Sequence, residues 1–225
     1  MSTLLLRLAA PLQSWGDDSK FNNRRTYSIP TKSGVLGMLA AAFGRKRDAS
    51  IDDLKTLEMG VRVDQEGTEL DDFQMVHGKK QSDITRRYYL SDAIFLVGLY
   101  HTDEAFVRKV KEALLHPIYP LFLGRRSCPP SYPLVLGIRD CPLQDALEQE
   151  PWLAQEWRQK RLPGKLRLVL ESDGKGTEVL HRLRDVPVSY SPERREYQYR
   201  YVRESGYVEC SKEQETEHDA FGELG

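Results

Sequence analysis

The sequence predicts an α+β domain in which strands and helices follow one another as βαββαβ. Three observations carry that expectation. A leucine-rich run at residues 3–8 reads as a buried strand. An apolar helical face with recognisable ends spans residues 31–44. A second strand-and-helix pair occupies residues 92–100 and 103–115.

Taken in order, the first strand ends in a turn at residues 11–16 that carries Trp15, an indole that either stacks on a ligand or packs inward. Residues 24–29 form an exposed extended segment, held out of helical geometry at Ile29 by Pro30. Thr31 is the expected N-cap of the first helix. Val35, Leu36, Leu39, Ala40 and Phe43 form its apolar face, and Gly44 is the expected residue just past its end. A further helix is expected over residues 50–58, capped by Ser50 with Asp52 and Asp53 in its first turn. Residues 61–64 and 69–73 flank Glu66-Gly67-Thr68 and read as a hairpin. The stretch 74–90 lacks apolar periodicity and reads as a protruding arm. Residues 92–100 are the clearest buried strand, Thr102 caps the helix that follows, and residues 132–137 close the set.

That order is typical of ferredoxin-like and RNA-recognition-type domains. Residues 1–140 are therefore expected to form one such domain. Residues 141–210 are expected to add a smaller, β-rich part, with short helices at 143–150 and 152–161, a strand at 165–171, a turn at 173–176 and a final regular region at 185–203. In that last region Tyr197, Tyr199 and Tyr201 share one strand face, and core packing is favoured over base stacking as its use. Residues 211–225 are acidic, poor in apolar residues and expected to be disordered.

Composition narrows the class of function. A chain of 225 residues with 40% hydrophobic side chains can bury a real core. Three widely spaced cysteines, with no Cys-x-x-Cys pair, argue against a zinc site or a disulfide framework and fit a cytoplasmic protein. The opening leucine run is too short for a signal sequence or a membrane span. Net charge is only −1, so bulk charge does not attract polyanions, but the charge is segregated: residues 20–47 hold seven basic side chains and no acid. The tail from Glu209 onward holds six acids against Lys212.

Three local patterns suit phosphate. The run 123–130 sets Gly124, Arg125, Arg126 and Ser127 in a loop closed by Pro129 and Pro130. Its arginine forks match phosphate oxygens, while a solvated surface turn is the plainer reading. The helix start at residues 30–34 presents free amides with Lys32, Ser33 and Gly34. Its spacing is not that of a P-loop, and an ordinary capped helix explains it equally well. The arm interleaves Lys79, Lys80, Arg86 and Arg87 with Tyr88 and Tyr89, a mixture of phosphate donors and stacking rings.

These motifs, at residues 11–16, 30–37, 86–93 and 123–129, resemble in order and spacing those of the fifth Cas protein family, in its type I-E branch. Members of that branch are subunits of the CRISPR Cascade surveillance complex. The resemblance runs from the first strand to about residue 140 and thins beyond Cys141. It implies a modified RNA-recognition fold with a thumb hairpin at residues 72–91 and no metal or cofactor. It also implies a job: holding the 5′ handle of the crRNA and capping the backbone filament beside the backbone subunit and the large PAM-reading subunit, with target DNA contacted indirectly. By position, Gln13, Trp15, Lys32, Ser33, Gly34, Gly124, Arg125, Arg126 and Ser127 become candidate RNA contacts, joined on charge by Arg24, Arg25, Lys79, Lys80 and Arg87.

A relative in another subtype cleaves repeat RNA without metal, which needs a general base, a general acid and a cation. Here His77, His101, His116 and His181 fall in different predicted elements, and only His116 lies near the arginine loop. A non-catalytic binding role is the expectation, and metal-independent endoribonuclease the alternative.

Overall fold

The structure is a computed structural model that describes residues 1–16, 23–77, 82–174, 180–191 and 193–209. It is a mixed α/β fold, mostly antiparallel sheet with few helices. The chain begins with β1 (Ser2–Ala9), then four two-residue strands: β2 (Leu12–Gln13), β3 (Trp15–Gly16), β4 (Asn23–Arg24) and β5 (Thr26–Tyr27). Helices α1 (Lys32–Ala42) and α2 (Asp52–Lys55) lead to β6 (Glu58–Gln65), β7 (Thr68–His77), β8 (Ser82–Ser91) and β9 (Ile94–His101). Next come α3 (Glu104–Leu115), β10 (Val135–Arg139), α4 (Leu143–Gln149) and α5 (Glu156–Gln159), then β11 (Lys165–Ser172), β12 (Leu180–Ser189) and β13 (Glu196–Glu209). Among the described residues no helix is long and apolar enough to cross a membrane.

The main sheet has seven strands in the order β10-β1-β9-β6-β11-β13-β12, every neighbouring pair antiparallel. It therefore continues without a break across the boundary expected near residue 141. β1, between the edge strand β10 and β9, has Leu4, Leu5, Leu6 and Leu8 fully buried. Strand alternation sends these leucines to two separate cores. Leu4, Leu6 and Leu8 pack with Val35, Leu36 and Leu39 of α1 and Val107, Val110 and Leu114 of α3. Leu5 points the other way, with Leu96, Leu168 and Leu170, onto Leu143, Ala146 and Leu147 of α4. Both faces being covered explains why β1 reads as a continuous apolar run rather than an alternating one.

α4 can lie this close because Gly60 and Gly98 are direct cross-strand partners on β6 and β9. A Cβ on Gly98 would stand 2.5 Å from Leu143 Cδ1, and one on Gly60 2.7 Å from Leu147 Cδ1. β6 also fastens the chain after α4. The buried Arg62 gives Nε and Nη2 to the two carboxylate oxygens of Asp64 at 2.8 Å, and its remaining donors to the carbonyls of Leu147, Glu150 and Pro151. Asp64 in turn accepts from the Leu153 amide at 2.7 Å, and its carbonyl from Trp152 Nε1.

Several expectations are corrected. Residues 61–64 and 69–73 do not pair with each other. β6 enters the sheet between β9 and β11, and β7 leaves to pair with β8 along its whole length. The helix expected over 50–58 shortens to Asp52–Lys55, since Leu57 and Met59 are drawn into the core where β6 begins. Asp103 rather than Thr102 caps α3, accepting from the Ala105 amide at 2.9 Å. The closing strand forms at Val135–Arg139 rather than 132–137, and the helix expected over 152–161 is only Glu156–Gln159. The tyrosines of β13 do not enter the core: Tyr199 and Tyr201 are exposed. The expected disorder of 211–225 lies outside the described residues.

Candidate nucleic-acid interface

The arginine loop is a small closed structure. The Leu123 amide donates to Cys128 O at 2.7 Å, the Cys128 amide to Arg125 O at 2.8 Å, and the side chains of Leu123 and Cys128 are buried beneath. The loop is sewn to the turn after β1 by the Ser14 amide, which donates to Leu123 O at 3.2 Å. Gly124 makes that approach feasible. Its φ is +82°, and any Cβ there would collide with the Ser14 carbonyl.

That geometry aims Arg125 across β8. Its Nη2 donates to Arg24 O at 2.9 Å, and its guanidinium carbon lies 4.6 Å from the ring centre of Tyr89. Arg87 is two residues away on the same face of β8, and β4 pairs with β8 by matching Arg24 to Arg87. Arg125 Nη1 and Arg87 Nε are both buried with no acceptor among the described residues. An unpaired buried donor on a charged group is costly, and an anionic oxygen is the group that would satisfy it. Arg24 and Arg25 are exposed on the adjoining segment, and Arg126 and Ser127 are exposed on the loop.

The other candidates are placed differently. Trp15 is 1% exposed and packs against α1, where a Cβ on Gly34 would be 2.8 Å from its Cε3, so the indole packs rather than stacks. Gln13 is buried and uses Nε2 to hold Ala93 O at 2.7 Å. The N-terminus of α1 is filled from within the chain. Thr31 accepts from the Gly34 amide, Asp185 from the Lys32 amide at 2.7 Å, and Glu171 from Lys32 Nζ at 2.9 Å. Arg200 bridges Asp185 and Glu171, and Tyr190 donates to Ser33 O. Burial pushes the Tyr190 phenol well above its ordinary pKa, keeping it a donor. Lys79 and Lys80 lie outside the described residues.

Two participants were missed in the sequence. Tyr89 is noticed there only as one ring of a mixed arm, and its pairing with Arg125 depends on the loop closing over β8. Asp185 gives no signal, because its partner Lys32 is 153 residues distant. The histidines stay in separate elements: His101 Nδ1 accepts from the Asp103 amide, and His116 is the exposed residue ending α3.

The fold, a seven-stranded antiparallel sheet with a separate β7–β8 hairpin, is that of a CRISPR-associated protein. The chain belongs to that class: residues 3–203 match the family described as CRISPR-associated protein (Cas_Cas5). It is 37% identical over 150 residues to the CRISPR system Cascade subunit CasD of Escherichia coli (strain K12), covering 57% of this chain and 67% of that protein. Among solved structures it resembles a chain of a CRISPR RNA-guided surveillance complex at TM-score 0.79 and 32% identity, covering 91% of this chain and 90% of that one. A Cas protein crystal structure aligns at TM-score 0.71 and 40% identity, covering 92% and 95%.

Proposed function

We propose that this chain is a non-catalytic, crRNA-binding subunit of a type I-E CRISPR Cascade complex, acting in the cytoplasm. It holds the 5′ handle of the crRNA and caps the backbone filament beside the backbone subunit and the large PAM-reading subunit, meeting target DNA only through the guide. Family membership and the likeness to CasD support the Cascade role. One observation carries the handle grip: Arg125, over the Tyr89 ring, and Arg87, two residues along the same face of β8, each keep a buried N–H without an acceptor among the described residues. In this reading β1, α1, β6, β9, α3 and β10 form an RNA-recognition-type unit, the β7–β8 hairpin is the thumb, and Arg126, Ser127, Arg24 and Arg25 line the approach. Lys32, committed to Glu171, supports the helix rather than the RNA.

The test is retention of crRNA by the complex purified with its genomic partners. Arg125→Ala and Arg87→Ala each weaken retention, and the salt slope becomes shallower by about 0.7–0.9 per lost phosphate contact. Unchanged retention and slope in both variants remove the handle grip. Incubation with full repeat RNA in EDTA yields no product; cleavage abolished by His116→Ala would replace this reading with the endoribonuclease.

A further inference from the structure

One part of the main sheet carries aromatic rings on an open face. α4 covers the face over β1, β6 and β9, and Leu170 of β11 lies under the same helix. Leu170 is paired with Arg203 of β13, so the alternating positions Tyr201, Tyr199 and Tyr197 look out on that side, beyond the reach of α4. Tyr199 is 51% and Tyr201 43% exposed. On the neighbouring edge strand Arg182 stands directly opposite Tyr201. Its guanidinium carbon is 3.8 Å from the ring centre of Tyr199, and that of Arg184 is 5.9 Å from the same ring.

Tyr199, exposed with the Arg182 guanidinium over its ring, and the exposed Tyr201 beside it form a positively charged aromatic surface in which the Tyr199 ring is held in place before any ligand arrives. None of these positions carries a carboxylate. Two residues of strand advance about 6.7 Å, close to the spacing of neighbouring nucleotides in an extended single strand. Stacking on tyrosine is indifferent to base identity, and arginines beside the rings suit the phosphates between bases. An acidic protein segment would use the charge but leave the stacking faces unmatched.

We propose that the Arg182–Tyr199–Tyr201 stripe is a second nucleic-acid contact, a stacking surface for unpaired bases of a single strand, separate from the Arg87–Arg125 pair. The full-length protein is irradiated with oligouridine containing 4-thiouridine, and in parallel with its deoxy counterpart, and the adducts are mapped by mass. Adducts are expected on the β13 tyrosines with either probe or both, and the preferred sugar identifies the strand taken. Tyr199→Ala lowers their yield by about tenfold or more, Tyr199→Phe retains it, and Arg125→Ala leaves it unchanged even where handle retention is lost. Absence of adducts between residues 180 and 203 in the parent protein overturns the proposal whether or not the variants fold. Equal yields in Tyr199→Ala and parent do the same. A stripe that takes neither probe, while Tyr199→Ala costs the complex its partner chains, is a protein-docking surface, and that outcome also overturns it.

Discussion

Gly60 and Gly98 face each other across β6 and β9, and the absence of both side chains leaves the depression into which Leu143 and Leu147 of α4 fit. Gly98→Val would drive its side chain into Leu143. The expected cost is about 1–3 kcal/mol, read as a lower denaturant midpoint with an unchanged slope. Unaltered stability would mean that α4 yields easily and does not fix this face.

Arg62 is worth more. Its removal leaves the Asp64 carboxylate buried without its cation and strips donors from three carbonyls. Burial already pushes the Asp64 carboxyl above its ordinary value, with the Arg62 hydrogen bond pulling it back. Arg62→Ala should therefore cost about 3–5 kcal/mol, enough to lower the melting temperature by many degrees. A loss below about 1 kcal/mol would show that the pair behaves like a surface ion pair.

The Asp53 carboxyl is held below its ordinary pKa, chiefly by the Arg45 hydrogen bond, with partial burial opposing. A depressed folded-state value gives a contribution that is present above the unfolded carboxylate pKa, about 4, and fades as pH falls through the folded value. Asp53→Asn should thus lower stability at pH 7 by less than about 1 kcal/mol, because the pair is half exposed. The gap from the parent should narrow below about pH 4. Urea melts across that range check it, and a constant gap would exclude the pair as its source.

Cys128 reports on the arginine loop. Burial raises its thiol pKa, outweighing the opposing Ser127 hydrogen bond and Arg125 charge, whereas Cys141 is more accessible. In the native protein Cys141 should alkylate before Cys128 at neutral pH, and peptide mapping distinguishes them. Gly124→Ala, which strains the φ of +82° and meets Ser14, should reverse that protection. Early Cys128 labelling in the parent would show the loop opening on its own.

The strongly patterned elements were legible in the sequence. β1 and β9 read as unbroken apolar runs of strand length, α1 and α3 as apolar faces at helical spacing, and Thr31 caps α1 as its chemistry predicts. What could not be read was partner choice. Glu66-Gly67-Thr68 looks like a hairpin turn, yet β6 is claimed by β9 and β11, a competition that only burial of Val61 and Val63 decides. The candidate site shows the same division. Arg125 and Gly124 stood out by residue type, while the fate of Lys32 depended on acids far along the chain. The tyrosine stripe alternates correctly for a buried face, but nothing local in the sequence says that α4 stops short of it.

The tie between the Lys32 amide and Asp185 spans 153 residues. During synthesis α1 leaves the ribosome well before the carboxylate that completes its first turn and the strand that flanks β6. α1 is therefore completed only once β12 has been made. Until then the Lys32 amide and the edge of β6 that β11 will cover lack their partners, a surface the completed fold no longer presents.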